Sequence, residues 1–285
     1  MSGGMPRQPS RLAGCPVVKW LLISNIAVYF LDMLFFKWSL WNWGHFSVGL
    51  GLKELELWRF LSFQFIHADG RHLLFNMLGL FFFGHFAERW WGSRKFLVFY
   101  LASGAAGALL YVALFYVGWF GNHPIPLGNE FLPASYIPMV GASAGIFAIL
   151  VSIAIIAPNL RVLLFFFLPM SMRVFAIGAL VFSVFIILSN GKNAGGEAGH
   201  LGGAMLGFIL MKNPRLLAFI GDGSRSGGKR RTINARIVRE KKIRPRIQIN
   251  MDDTEIDRIL DKVNREGMQS LTEAEKEALR RTAGQ

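Results

Sequence analysis

The chain has 285 residues, 53% of them hydrophobic, with 26 phenylalanines and 8 tryptophans; this apolar share, gathered into long runs, excludes an ordinary soluble domain and indicates a polytopic membrane protein. Its formal net charge is +13, yet the basic residues collect at the ends of apolar runs and in the tail after Met211, which reads as membrane topology and not as a nucleic-acid surface. The single cysteine, Cys15, excludes an internal disulfide and any cysteine-built metal site.

Residues 1–16 are polar, rich in Gly, Pro and Ser, and carry Arg7 and Arg11, so a disordered N-terminal tail is expected. Leu12-Ala13-Gly14-Cys15 resembles a lipoprotein cleavage box, but no apolar core precedes it. Residues 17–36 form an apolar run of about 20 residues, enough to cross roughly 30 Å of hydrocarbon. Residues 37–70 are too polar to span and too aromatic for a free loop, with Trp38, Trp41, Trp43 and Trp58 among Lys53, Glu54, Glu56 and Arg59. Tryptophan favours the membrane interface, so this loop is expected to lie partly embedded along one face.

A second span is expected over 72–91, closed by Glu88-Arg89 and Arg94-Lys95, and a third over 96–120. The connection 121–138 contains neither Lys nor Arg. Span four covers 139–157. In the fifth, Pro169 and Arg173 interrupt an apolar run that begins at Val162, which places the crossing at 171–189; span six covers 198–211. The lysines and arginines of the short connections put both termini, the 2/3 turn and the 4/5 turn on the cytosolic side. The expected fold is therefore all-α, a bundle of six transmembrane helices over 17–212.

After Pro214 the composition changes. Residues 213–250 read as a flexible basic linker, with a Gly/Ser stretch at 221–228. The basic residues of 229–246 fit a solvated topology signal and equally an attraction to anionic lipid, about 1 kcal/mol each near the surface. Residues 251–285 read as a short helical cytosolic segment: Ile256, Ile259, Leu260 and Val263 recur at helical spacing, Gly267 suits a stop, and Thr272 with Glu275 makes a capping box.

Within this frame one stretch carries chemistry, Gly141-Ala142-Ser143-Ala144-Gly145 at the mouth of span four. Taken alone, G-x-S-x-G also fits small-residue helix packing. A serine at a helix start, however, can be a nucleophile whose own amide faces a developing oxyanion. His200 starts span six at similar depth on the extracytosolic side, and imidazole can take the hydroxyl proton and return it to a leaving amine. Gly199, Gly203 and Gly207, four apart, are expected to let span six approach span four closely. His72 and Asn76, also four apart, share one face of span two as two donors. His45, His67, His85 and His123 read as packing or interface residues. No H-E-x-x-H is present, and Asp32 is the only aspartate inside a span, so metallo- and aspartyl-protease chemistry find no residues here.

With Trp58-Arg59, His72, Asn76, Glu88, Gly92-Ser93, Gly141-Ala142-Ser143, His200, Gly203 and Gly207 in place, residues 17–212 resemble a rhomboid-type intramembrane serine protease. The resemblance implies a Ser143/His200 dyad without a carboxylate member, an oxyanion site from His72, Asn76 and the Ser143 amide, and structural roles for Glu88 and for Trp58-Arg59 in an embedded first loop. It also implies transmembrane protein substrates, no cofactor and no metal. A bacterial plasma membrane, with the active site opening extracytosolically, is the expected location. Ala144, Gly199 and Phe147 depart from residues frequent in the family; Phe147 can stack on His200 but brings no hydroxyl. The tail resembles cytosolic extensions of some bacterial members, through Ile259-Leu260-Asp261-Lys262-Val263 and Ser270-Leu271-Thr272. The alternative is a catalytically inactive rhomboid-like protein that binds membrane clients, which loss of the serine or the histidine would mark.

Overall fold

The computed structural model describes residues 12–120, 125–127, 130–164, 167–189, 191, 193–220, 258, 262, 270–272 and 275. Contacts divide the chain into two units, Met1–Ser226 and Gly227–Gln285. The N-terminal tail to residue 11, the basic stretch 229–246 and most of the C-terminal segment lie outside the described residues.

Helix α1 (Pro16–Leu31) starts with proline, whose missing N–H costs nothing at a helix start. Glu88 satisfies the next two amides: its Oε1 and Oε2 accept from Val17 N at 3.1 Å and Val18 N at 2.8 Å. The span continues as a π-helical turn, Asp32–Phe36, and then reverses, with Lys37 and Trp38 in left-handed backbone. Asp32 fixes this reversal by accepting from Leu40 N and Trp41 N at 2.9 and 2.8 Å, leading into α2 (Ser39–Gly44). The first loop goes on to the short α3 (Arg59–Ser62). Arg59 holds the loop together: it donates to Asn42 O at 2.9 Å and His45 O at 2.7 Å and pairs with Glu56. The Trp58 ring stacks on Trp43, centroids 5.7 Å apart, and its indole N–H donates to Trp43 O.

The long helices follow: α4 (Gly70–Trp91), α5 (Ser93–Tyr116), α6 (Ser143–Ile156), α7 (Met172–Leu188) and α8 (Ala194–Lys212). Each coincides in position with one of the expected spans. By length and composition, Pro16–Phe36 and Ser93–Tyr116 are long and apolar enough to cross a membrane, while Ser143–Ile156 and Met172–Leu188 are apolar but shorter. Helix α6 is central. From Ala144 to Ile153 only Phe147 escapes burial, which its neighbours α4, α5, α7 and α8 on all sides account for. By contrast α7 buries a single stripe, Met172, Ala176, Ser183 and Ile187, and turns Val174, Ile177, Val181, Phe182 and Phe185 outward. Such an apolar outer row suits hydrocarbon and not water.

Among the described residues, two short antiparallel hairpins depart from the all-α expectation. In the 3/4 connection β1 (Ile125–Leu127) pairs with β2 (Glu130–Leu132). In the 4/5 connection β3 (Arg161–Leu164) pairs with β4 (Leu168–Ser171), from Arg161 opposite Ser171 to Leu164 opposite Leu168. The apolar stretch beginning at Val162 is therefore a hairpin ahead of span five. Pro169 has no N–H to continue a helix, and a two-stranded ribbon tolerates it at an edge.

In the C-terminal unit, Thr272 and Glu275 form the reciprocal capping pair: Thr272 N donates to the Glu275 carboxylate at 2.8 Å, and Glu275 N donates to Thr272 Oγ1 at 3.3 Å. Lys262 Nζ also reaches Glu275, at 3.1 Å. The Thr272 amide, then Lys262 and the Thr272 hydroxyl, hold this carboxyl down to about 2.

Candidate active site

Three helix N-terminal regions converge on one cavity. The first belongs to α4. Asp69 caps it, its carboxylate accepting from Arg71 N at 2.8 Å and His72 N at 2.9 Å, and the His72 amide foremost holds this carboxyl below its ordinary value. His72 thus enters the first helical turn in a fixed position, with Nδ1 accepting from Ala68 N at 3.4 Å. A neutral imidazole accepting at Nδ1 carries its proton on Nε2. Asn76, one turn on, is buried and donates through Nδ2 to His72 O at 3.0 Å; its second amide hydrogen is left for another acceptor.

The second region is the start of α6. The approach to it is pinned on both sides: Met139 exchanges backbone hydrogen bonds with Phe46 at 2.7 and 3.0 Å, and Gly141 N donates to Phe63 O at 2.9 Å. Gly141 has φ +119, and a Cβ there would lie 2.7 Å from His72 Nε2. Glycine is therefore required twice over, by backbone conformation and by the histidine against it. Ser143 is the first residue of α6, so its amide and the next ones have no intrahelical acceptor.

The third region is α8. His200 lies in its second turn, and His200 Nε2 is 2.7 Å from Ser143 Oγ. Phe147 stacks flat on the imidazole, centroids 4.2 Å apart and planes 9° from parallel. Two small-residue faces let α8 come in so close. A Cβ on Gly203 would overlap the Ala144 carbonyl, and one on Gly207 would lie 2.7 Å from the Ala148 Cβ, so both press against α6. Gly202 presses on α5 at Ala106 and Gly107. Gly199 does not share the α6 contact expected of it: its added Cβ would meet only Met139 Sδ, at 3.2 Å, and its carbonyl is what abuts Gly107. Gly145 packs against the Tyr100 ring.

The cavity between these helices has a volume of about 320 Å³ and is lined by Ser143, His200, His72, Asn76, Gly141 and Phe147, with Phe63, Phe75, Met139 and Ile146 as apolar wall. Trp58, Arg59 and Glu88 do not line it. The first two hold the first loop. Glu88, besides capping α1, accepts from Ser93 Oγ at 2.7 Å. No cluster of three or more metal-ligating side chains occurs among the described residues.

One residue at the site escaped the sequence reading, which expected no carboxylate. Glu197, three residues before His200 on the same face of α8, places Oε2 at 2.8 Å from His200 Nδ1. The same oxygen accepts from Ser183 Oγ of α7 at 2.6 Å, and Oε1 accepts from Asn193 Nδ2 at 3.2 Å. The available signal was an acidic side chain inside an apolar run at helical spacing from a histidine.

The profile of the Rhomboid domain matches residues 54–212, and a family of unknown function (DUF6576) matches 247–285. RHOMBOID-like protein 12, mitochondrial, of Arabidopsis thaliana is 29% identical over 194 residues, covering 68% of this chain and 56% of that protein. Rhomboid protease AarA of Providencia stuartii is 29% identical over 202 residues, 67% of this chain and 69% of its own length. Rhomboid protease GluP of Bacillus subtilis is 30% identical over 175 residues, 57% of this chain and 28% of its own. The chain thus spans only part of the length of these relatives. Because the rhomboid profile covers more than half of the chain, from the first loop to the end of α8, this protein belongs to the rhomboid family and is an integral membrane protein.

Proposed function

We propose that the chain is an intramembrane serine endopeptidase that hydrolyses peptide bonds in or near the transmembrane helices of other membrane proteins. The 2.7 Å contact between Ser143 Oγ and His200 Nε2 carries this reading. His200 takes the hydroxyl proton as Ser143 Oγ attacks the scissile carbonyl, then gives it to the leaving amine as the C–N bond breaks. The oxyanion is held by the Ser143 amide, His72 Nε2–H and the free Asn76 amide hydrogen. Water then cleaves the ester and restores the serine.

Helix α6 has 14 residues, about 21 Å at 1.5 Å per residue, which is shorter than a hydrocarbon core of roughly 30 Å. In a six-span arrangement with cytosolic termini, Ser143 then lies below the extracytosolic surface, in a cavity open to water from that side. A substrate helix must unwind locally to present a carbonyl, so segments with glycine or other weak helix formers are the expected class. An inactive client-binding role would leave the hydroxyl–imidazole contact without purpose.

The test uses the purified full chain in detergent with a single-span reporter substrate. Ser143→Ala and His200→Ala should each abolish cleavage, and His72→Ala or Asn76→Ala should slow it by roughly 10- to 1000-fold. Wild-type turnover in either of the first two variants would overturn the proposal.

A further inference from the structure

Glu197 is an ionisable side chain in a helix whose other residues, His200 and the terminal Lys212 apart, are small or apolar, and it is 7% exposed. An acidic group in such surroundings is costly unless its oxygens are satisfied. Here three donors meet it: Ser183 Oγ, Asn193 Nδ2 and His200 Nδ1. This is the pattern of an acceptor-only, ionised carboxylate. An ion pair of this kind is weak support for stability, because hydrophobic residues of the same volume would serve as well. Its geometry relative to Ser143 is specific: Glu197 Oε2, His200 Nδ1, His200 Nε2 and Ser143 Oγ form one chain, with 2.8 Å at its first contact and 2.7 Å at its last.

We infer that Glu197 is the positioning carboxylate of a Glu197–His200–Ser143 triad, an assignment that rests on the protease reading and extends it. By accepting from Nδ1–H, Glu197 fixes the neutral tautomer in which Nε2 is free to receive the Ser143 proton. It then faces the imidazolium formed when that proton arrives. The proton stays on His200 Nε2 until the leaving amine takes it, and Glu197 remains ionised throughout. Ser183 and Asn193 hold the carboxylate from α7 and from the start of α8, so that it cannot swing away from the ring.

The groups facing His200 limit what else could do this. From α4 comes His72, from α6 Ser143 and Phe147, from α7 Ser183 by way of Glu197; α5 meets this part of α8 through Gly107 and Tyr111. Glu197 is the anion among these groups.

The experiment compares wild type, Ser143→Ala, Glu197→Gln and Glu197→Asp as full chains on the reporter substrate, with pH profiles of kcat/KM. Loss of the anion is expected to lower kcat/KM by about 10²- to 10⁴-fold, mostly in kcat, with partial recovery in Glu197→Asp. The acid limb of the residual activity should move to lower pH, because the imidazolium has lost its counter-charge. A merely structural residue would lower the amount of folded enzyme and leave that limb in place. Glu197→Gln with wild-type kcat/KM and an unmoved limb, beside an inactive Ser143→Ala, overturns the assignment and spares the protease reading; an active Ser143→Ala overturns both. Nitrogen-15 spectra of histidine-labelled wild type serve if the Gln variant fails to fold. A His200 proton on Nδ1 supports the assignment, and a neutral ring protonated on Nε2 overturns it.

Discussion

Phe147 lies parallel to the His200 imidazole at a centroid distance of 4.2 Å, so one face of the ring that meets Ser143 is covered by a residue one turn beyond that serine on the same helix. Helix α6 thereby presents both the hydroxyl and the surface against which its partner rests. Truncation of Phe147 to Ala should free the imidazole to turn about its Cβ and lower kcat/KM by about 10- to 100-fold, since misplacement by an ångström has that order of cost. Phe147→Tyr keeps the stacked face and should stay close to wild type. Steady-state cleavage of the reporter substrate by the two variants checks this.

A matched pair of glycine substitutions tests the α6–α8 joint. Gly203→Ala directs a methyl into the Ala144 carbonyl, where backbone on both sides leaves nothing flexible to yield. It should cost about 1–3 kcal/mol and separate Ser143 from His200. Around Gly178 of α7 a Cβ meets nothing within 4 Å. Gly178→Ala should therefore be neutral or stabilise by about 0.5–1 kcal/mol, as for any exposed helical glycine. Thermal unfolding in detergent, read with activity, distinguishes the two.

Glu88 joins the start of α1 to the end of α4 and to Ser93 while standing apart from the cavity. Glu88→Ala removes three hydrogen bonds to a carboxylate and should destabilise the fold by roughly 2–4 kcal/mol. Below the lowered unfolding temperature, kcat should remain within a few-fold of wild type. A variant with wild-type thermal stability would remove this role.

Acid should weaken the α4 start through Asp69. The amides of His72 and Arg71 hold this carboxyl below its ordinary value, so as pH falls the unfolded chain binds the proton first. The cap's contribution is therefore complete above the unfolded value, about 3.9, and is lost as pH falls through the lower folded value. Asp69→Asn caps the same amides without titrating. The stability difference between wild type and Asp69→Asn should be flat above about pH 5 and change only in the acid range, as denaturation followed at a series of pH values would show.

The long helices were legible because each lies within an apolar run, although only Pro16–Phe36 and Ser93–Tyr116 among the described helices are both long and apolar enough to cross a membrane; boundaries moved by only a few residues, as for α4, which begins at Gly70 and ends at Trp91. Ser143 and His200 were legible because each is a polar residue at the mouth of such a run, and the geometry sets them at bonding distance. Glu197 was not. Its partner Ser183 lies on a neighbouring helix, and pairing across helices has no period in the sequence; the local signal, Asn193 four residues before it and His200 three after, does not by itself separate a helix-capping carboxylate from one that faces the site. Spacing by four made Gly199, Gly203 and Gly207 look alike, yet a residue's neighbours also depend on what crosses the helix at its level. Gly199 meets α5 through its carbonyl while the other two meet α6. The hairpin of Arg161–Leu164 with Leu168–Ser171 was hidden for a related reason. An apolar run broken by Pro169 reads as an interrupted span until backbone pairing is seen.

The joint where Gly203 and Gly207 rest on Ala144 and Ala148 is made of main chain and methyl groups. Two rods fastened in this way lean together. When the protein settles into a thinner or thicker lipid environment, the expected response of its helices is a change of tilt, and this pair takes that tilt as a single piece. The depth of the Ser143 hydroxyl then varies with the host membrane, while its spacing from the imidazole nitrogen stays as the main chain has set it.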